Sequence, residues 1–290
     1  LRFGKTLIQS EYLVENADFI ACHNQAFIYR YDILEGIKEG GVFLLNSQNE
    51  SEDVFEFLSK DMQKTIIEKK IKLYNIDALK IANEVGLGSR INTVMQAAFF
   101  IISNVLEREQ AISMIKKSIE KSYMKKGKSI IEMNWKAVDA TNDALVQIPV
   151  PEGLPVRHSK LRRLIPKDSN GFTKNVIEKI MKEKGDEIPV SHMPFDGFVP
   201  SGTPKMEKRA VAPFVPRGLA EKCIQCNQCA LVCPHAAIRP KLMTEKDLVT
   251  APPHFHTLPA MGKDKDTYRY KIQVYVEDCQ GCKDCVVECP

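Results

Sequence analysis

Two hydrophobic periods divide the first half of the chain. Short, nearly continuous apolar runs at residues 18–22, 42–45 and 71–75 predict strands. Apolar residues recurring at helical spacing predict helices over 25–37, closed by Gly40-Gly41, and over 51–70. Asp77 supplies an N-cap for a helix running to 85, and longer amphipathic stretches follow at about 91–105, 109–124 and 130–145. Strands alternating with helices in this way predict an α/β unit with a mostly parallel sheet and helices packed on it.

That regularity stops where proline begins. All 16 prolines lie at Pro149 or later, which marks residues 1–148 as one compact unit and 149–218 as an irregular connector containing ten of them. Within the connector only 174–184 has a helical pattern, and 196–203 is expected to lie extended across a neighbouring domain. The basic stretch Lys160-Leu161-Arg162-Arg163 reads either as a solvated face or as a docking surface for an acidic partner. A third region, 219–290, is set apart by its cysteines. A length of 290 residues with 44% hydrophobic content suits about two domains with ordinary cores, and a net charge of +4 calls for neither nucleic acid nor a membrane surface. No apolar run approaches the roughly 20 residues of a bilayer span, and no signal peptide is visible, so a cytoplasmic setting is expected.

Eight of the nine cysteines fall into two copies of one spacing. Cys223, Cys226, Cys229 and Cys233-Pro234 form the first; Cys279, Cys282, Cys285 and Cys289-Pro290 form the second. Three thiolates at three-residue intervals wrap one corner of a [4Fe-4S] cube, and the fourth, turned away by proline, serves the other cube. The expected sets are therefore Cys223, Cys226, Cys229 and Cys289 for one cluster, and Cys279, Cys282, Cys285 and Cys233 for the second. Zinc sites use separated pairs of ligands rather than tandem triplets closed by Cys-Pro, and a disulfide framework lacks any secretory context. The module carries electrons one at a time, with reduced thiols, in an anaerobic cytosol. Between its halves lies an insertion at 241–266, rich in proline, histidine and charge, expected to shield a cluster or to pack on an adjacent domain.

Other motifs are weaker. Gly86-Leu87-Gly88-Ser89-Arg90-Ile91 lacks the third glycine of a dinucleotide loop and follows a helix rather than a strand. Gly4-Lys5-Thr6 resembles the end of a phosphate-binding loop whose first glycine would precede Leu1. Cys22-His23-Asn24 at a strand end suggests a thiol nucleophile less than a packing residue, and His254-Phe255-His256 reads as an exposed loop before it reads as a metal site.

Several blocks together resemble pyruvate:ferredoxin (flavodoxin) oxidoreductases along the whole chain. They are Ala17-Asp18-Phe19-Ile20-Ala21-Cys22-His23-Asn24, Tyr31 through Gly41, Gly86 through Asn92, Asn134-Trp135-Lys136-Ala137-Val138-Asp139, Glu207-Lys208-Arg209, and Cys223 through Pro240. Asn227 and Lys283 depart from the pattern, standing in loop positions where ferredoxins commonly have glycine; this predicts some backbone strain, more at lysine than at asparagine. The resemblance implies an α/β gamma-type domain at 1–148, a connector at 149–218 and an α+β ferredoxin-like 2[4Fe-4S] domain at 219–290. It implies oxidative decarboxylation of pyruvate with coenzyme A to acetyl-CoA and carbon dioxide in a homodimeric parent enzyme that also holds thiamine diphosphate, Mg2+ and a third [4Fe-4S] cluster. Electrons would leave for ferredoxin or flavodoxin. Starting at Leu1 and stopping at Pro290 just after the last cysteine, the chain is expected to be an internal fragment with the thiamine and pyruvate sites elsewhere and no catalytic residue of its own. The alternative is a non-catalytic iron-sulfur subunit of another anaerobic oxidoreductase.

Overall fold

The computed structural model describes residues 2–4, 6–9, 13–160, 162–262 and 267–290. The chain divides into two compact units, residues 1–162 and 163–290, so the stretch expected as a connector is shared between them.

The first unit opens with β1 (Ala17–Cys22), followed by β2 (Ile37–Asn46), α1 (Lys60–Glu68), β3 (Lys72–Ile76), α2 (Ala78–Glu84), α3 (Asn92–Ser103), α4 (Arg108–Tyr123), α5 (Lys128–Ala144) and β4 (Val146–Ile148). The sheet order is β1-β2-β3-β4. The first three strands are parallel, with Cys22 opposite Leu45 and Leu44 opposite Tyr74, and β4 closes the edge antiparallel to β3. The mostly parallel sheet is as expected. Its apolar runs serve both faces at once: Phe43 and Leu45 pack with Leu58, Met62 and Ile66 on one side, while Leu44 packs with Ala78, Ile81, Val94 and Ala98 on the other. A further cluster of Ala97, Ile115, Ile119, Ile131 and Val138 joins the long helices to one another.

Three local expectations fail. Residues 25–37 form one 3-10 turn (Gln25–Tyr29) instead of a helix, with Asn24 Oδ1 accepting from the Ala26 amide at 3.0 Å. The chain then turns at Gly36, whose φ of +77° and closeness to the Glu15 carbonyl, 2.1 Å from where a Cβ would sit, suit only glycine; Ile37 already belongs to β2. The helix expected from 51 begins only at Lys60, because Ser59 caps it by accepting from the Met62 amide at 3.3 Å and also bridges to Ser159. The pattern ending at 145 hid β4, a three-residue strand whose Ile148 is buried opposite Leu73. Asp77 does cap α2, accepting from the Lys80 amide at 2.9 Å.

The second unit begins irregularly. A π-helical turn (Thr173–Ile177) runs into α6 (Glu178–Met181) and buries Val176, Ile177 and Met181. After α7 (Gln228–Leu231) come β5 (Ile238–Met243), α8 (Glu245–Leu248), β6 (Leu258–Pro259), β7 (Arg269–Val274) and α9 (Asp284–Val287). The three strands form an antiparallel sheet in the order β5-β7-β6, and Pro240, which has no amide to donate, sits on the edge strand β5. This unit is the α+β, ferredoxin-like part. Much of the expected insertion is ordered: it supplies the end of β5, all of α8 with its Thr244–Asp247 capping box, and β6. Its last residues, 263–266, lie outside the described residues.

Candidate metal centre

The two cysteine triplets are built alike. Each is preceded by a 3-10 turn, Ala220–Lys222 or Val276–Asp278, and each runs into a one-turn helix, α7 or α9. In both loops the backbone is left-handed at the residue before the second cysteine and again at the residue after it. These are Gln225 (φ +57°) and Asn227 (φ +61°) in the first copy, Gly281 (φ +75°) and Lys283 (φ +70°) in the second. Left-handed kinks on either side of a cysteine fold three consecutive thiols toward one point. The strain expected at Asn227 and Lys283 therefore falls on a conformation that both residues do adopt.

The thiols influence one another across the repeats as well as within them. Burial raises the Cys229 thiol above its ordinary pKa, an amide hydrogen bond from Ala230 opposes this, and the neighbouring thiols of Cys226, Cys289 and Cys223 raise it further. Burial likewise raises Cys285, followed by Cys282, Cys233 and Cys279, with Cys229 contributing last. Each triplet thus has within electrostatic reach the Cys-Pro cysteine of the other copy. Among the described residues no three His, Cys, Asp or Glu side chains are gathered closely enough to grip a single metal ion. Four converging thiols with space between them suit a cube. At the second triplet that space is a cavity of about 340 Å³, walled by Cys233, Cys279, Cys282 and Cys285 with Phe214, Val215, Ala237 and Ile238. The Ala237 amide donates to Cys233 Sγ at 3.2 Å, the kind of contact that tunes a cluster sulfur.

Around the first triplet the support is polar. Gln225 donates to the Pro259 carbonyl at 2.8 Å and accepts from the Met261 amide at 3.0 Å, so the insertion is tied to the loop between Cys223 and Cys226. Tyr270, buried on β7, places its hydroxyl 2.5 Å from Asn227 Oδ1. Burial, then the thiols of Cys223, Cys229 and Cys226, push this phenol up to about 12. Sequence reasoning singled out neither Gln225 nor Tyr270. The doubled loop positions could have revealed Gln225, since its counterpart in the second copy is Gly281.

The weaker motifs resolve differently. Cys22 is buried, its Sγ donates to the Asn24 carbonyl at 3.1 Å, and desolvation pushes its pKa up to about 12, so it is a packing residue. Burial lowers the pKa of His23. The Gly86–Ile91 stretch joins α2 to α3, with Gly86 and Gly88 both left-handed. Phe255 is stacked under Lys271, whose Nζ lies 4.1 Å from the ring and donates to the His256 carbonyl at 2.9 Å. Lys5 of Gly4-Lys5-Thr6 and Leu161 of the basic stretch lie outside the described residues. Lys160, Arg162 and Arg163 are exposed, and the Arg162 guanidinium lies 5.9 Å from the Tyr29 ring.

Comparison with known proteins finds three family matches along the chain. Residues 1–144 match the family described as pyruvate ferredoxin/flavodoxin oxidoreductase, 159–212 match EKR, a domain of unknown function, and 222–290 match a 4Fe-4S dicluster domain. Pyruvate:ferredoxin oxidoreductase of Moorella thermoacetica is 50% identical over 290 residues, covering 100% of this chain and 25% of the relative. Pyruvate-flavodoxin oxidoreductase of Trichormus variabilis is 44% identical over 296 residues, again 100% of this chain and 25% of the relative. Pyruvate dehydrogenase [NADP(+)], mitochondrial, of Euglena gracilis is 41% identical over 292 residues, 100% of this chain and 16% of the relative. The chain spans a quarter or less of the length of these curated relatives. With the oxidoreductase domain over its first half, an iron-sulfur domain over its last quarter and such relatives aligned along its entire length, the chain belongs to the pyruvate:ferredoxin/flavodoxin oxidoreductase family.

Proposed function

We propose that this chain is the electron-relay segment of a 2-oxoacid oxidoreductase, with Cys223, Cys226, Cys229 and Cys289 holding one [4Fe-4S] cluster and Cys279, Cys282, Cys285 and Cys233 the second. The parent reaction consumes pyruvate and coenzyme A and yields acetyl-CoA, carbon dioxide, one proton and two electrons. Its thiamine diphosphate, Mg2+ and third cluster belong to parts of the parent beyond this segment, and the parent is a homodimer. A bound [4Fe-4S] cube takes up and hands on a single electron without breaking a bond, so a two-electron oxidation can be delivered stepwise to ferredoxin or flavodoxin. The chain's own residues hold the thiolates, bend the loops at Gln225, Asn227, Gly281 and Lys283, and line the second site with an apolar wall.

The observation that carries this reading is that the Cys-Pro thiol of each copy lies within electrostatic reach of the other copy's triplet, Cys289 of Cys229 and Cys233 of Cys285, which supports an exchange of fourth ligands. The Euglena relative, named for NADP(+), aligns over the same segment, which supports a relay able to serve different terminal acceptors. Among the described residues no helix is long and apolar enough to cross a membrane, and a cytoplasmic setting suits reduced thiolates.

Low-temperature EPR of the anaerobically reconstituted chain tests the assignment, each signal being identified by mutating its own triplet. Cys289→Ala is expected to abolish the signal of the Cys223–Cys226–Cys229 site and to spare the other, and Cys233→Ala to do the reverse. Loss of the Cys279–Cys282–Cys285 signal in Cys289→Ala would show two local sites instead of an interleaved pair.

A further inference from the structure

The end of the EKR region, whose function is unassigned, runs directly over the second cysteine loop. Lys208 Nζ lies 2.6 Å from Asp278 Oδ1, one residue before Cys279, and both side chains are largely buried. The Ala210 amide donates to the Glu277 carbonyl at 3.0 Å, with Ala210 itself left-handed at φ +47°. At Gly281 a Cβ would stand 3.4 Å from the Phe214 carbonyl oxygen and 3.5 Å from Ala212 Cβ. Phe214, Val215 and Pro216 then form one wall of the 340 Å³ cavity that Cys233, Cys279, Cys282 and Cys285 surround. An ion pair, a backbone hydrogen bond, a close backbone approach and the cavity wall all belong to one nine-residue stretch.

From this we infer that residues 208–216 are a built-in cover for the second cluster, so that the end of EKR and the four residues after it shield that site and set its potential. The inference rests on the proposed ligand sets. The chemistry is electrostatic. A four-thiolate cube gains a negative charge on reduction, and water reaching it stabilises the reduced form; a dry cover keeps the potential low and slows attack by oxygen. The first site is covered differently, by the insertion tied through Gln225, so disturbing the 208–216 stretch acts on one cluster and leaves the other as an internal reference.

The test uses Lys208→Gln, which unpins the stretch, and Phe214→Ala, which opens the wall, in the anaerobically reconstituted full chain. Lys208→Arg and Phe214→Leu serve as conservative rescues. EPR-monitored redox titration and the rate of bleaching in air are read for each cluster separately. The disruptive variants are expected to shift the second cluster's potential upward and to bleach that cluster several-fold faster, with the first cluster unchanged and the rescues close to wild type. Loss of the second cluster alone also supports a cover. Unchanged values at both clusters, equal shifts at both, or loss of both clusters overturns it. Failure of the ligand reading looks different, because then the wild-type chain itself binds no pair of clusters or Cys289→Ala extinguishes the wrong signal.

Discussion

A cysteine's neighbours decide its chemistry. Cys22, on β1, is desolvated and moved from an ordinary 9.0 up to about 12, whereas the other eight stand in the two repeats beside one another. A raised thiol favours the protonated form in the fold. The stability it contributes is fully present below pH 9 and drains away as the pH rises toward 12. Three pH units also mean about a thousandfold less thiolate at any pH below 9. Residue-resolved alkylation by iodoacetamide at pH 8 is therefore expected to label Cys22 at least about a hundredfold more slowly in the folded chain than in urea. Comparable rates would return Cys22 to the list of candidate nucleophiles. At this scale the sequence was informative: the spacing of eight thiols gave the proposed ligand sets, since covalent spacing limits what a cube can be wrapped by. Gln225 and Tyr270 were not legible. What they do depends on Pro259, Met261 and Asn227, residues brought near only by the β5-β7-β6 sheet.

Elements were legible where one residue sufficed to fix them. The Asp77 cap and the three parallel strands needed only local chemistry, and they stand where the pattern put them. The supposed helix over 25–37 did not survive because its apolar residues, Ile28, Leu34 and Ile37, reach the core from turns and from a strand start. Apolar spacing records which residues are buried, and a turn can bury them as well as a helix can. Strand β2 makes the strongest demand on packing, since neighbours in sequence fill opposite layers. Leu44, fully buried between β3 and the α2–α3 layer, has no room to relax. Leu44→Ala is expected to destabilise the first unit by about 3 kcal/mol. Urea denaturation followed by the fluorescence of Trp135, the single tryptophan and a residue of α5, checks it. A loss below about 1 kcal/mol would mean that the helices close over the gap.

At the scale of the molecule, the proposed reading has the segment handle electrons without making them. Supplied with pyruvate, coenzyme A, thiamine diphosphate and Mg2+, the reconstituted 290-residue chain is expected to carry about eight irons and about eight sulfides yet to reduce no dye, while dithionite reduces it readily. Pyruvate-dependent dye reduction by this chain alone would relocate the active site into it. The two cysteine loops look like copies of one another, but position 225 reaches outward with a side chain that ties down the insertion, while position 281 is a glycine at ordinary contact distance from the Phe214 carbonyl and Ala212. Recombination between the two repeats would therefore act on them unequally. Copying the second loop over the first cuts the insertion loose, whereas copying the first over the second places a glutamine at a left-handed position of the kind that Gln225 itself adopts. The halves of the motif are thus not equivalent, and the first has a tie of its own to keep.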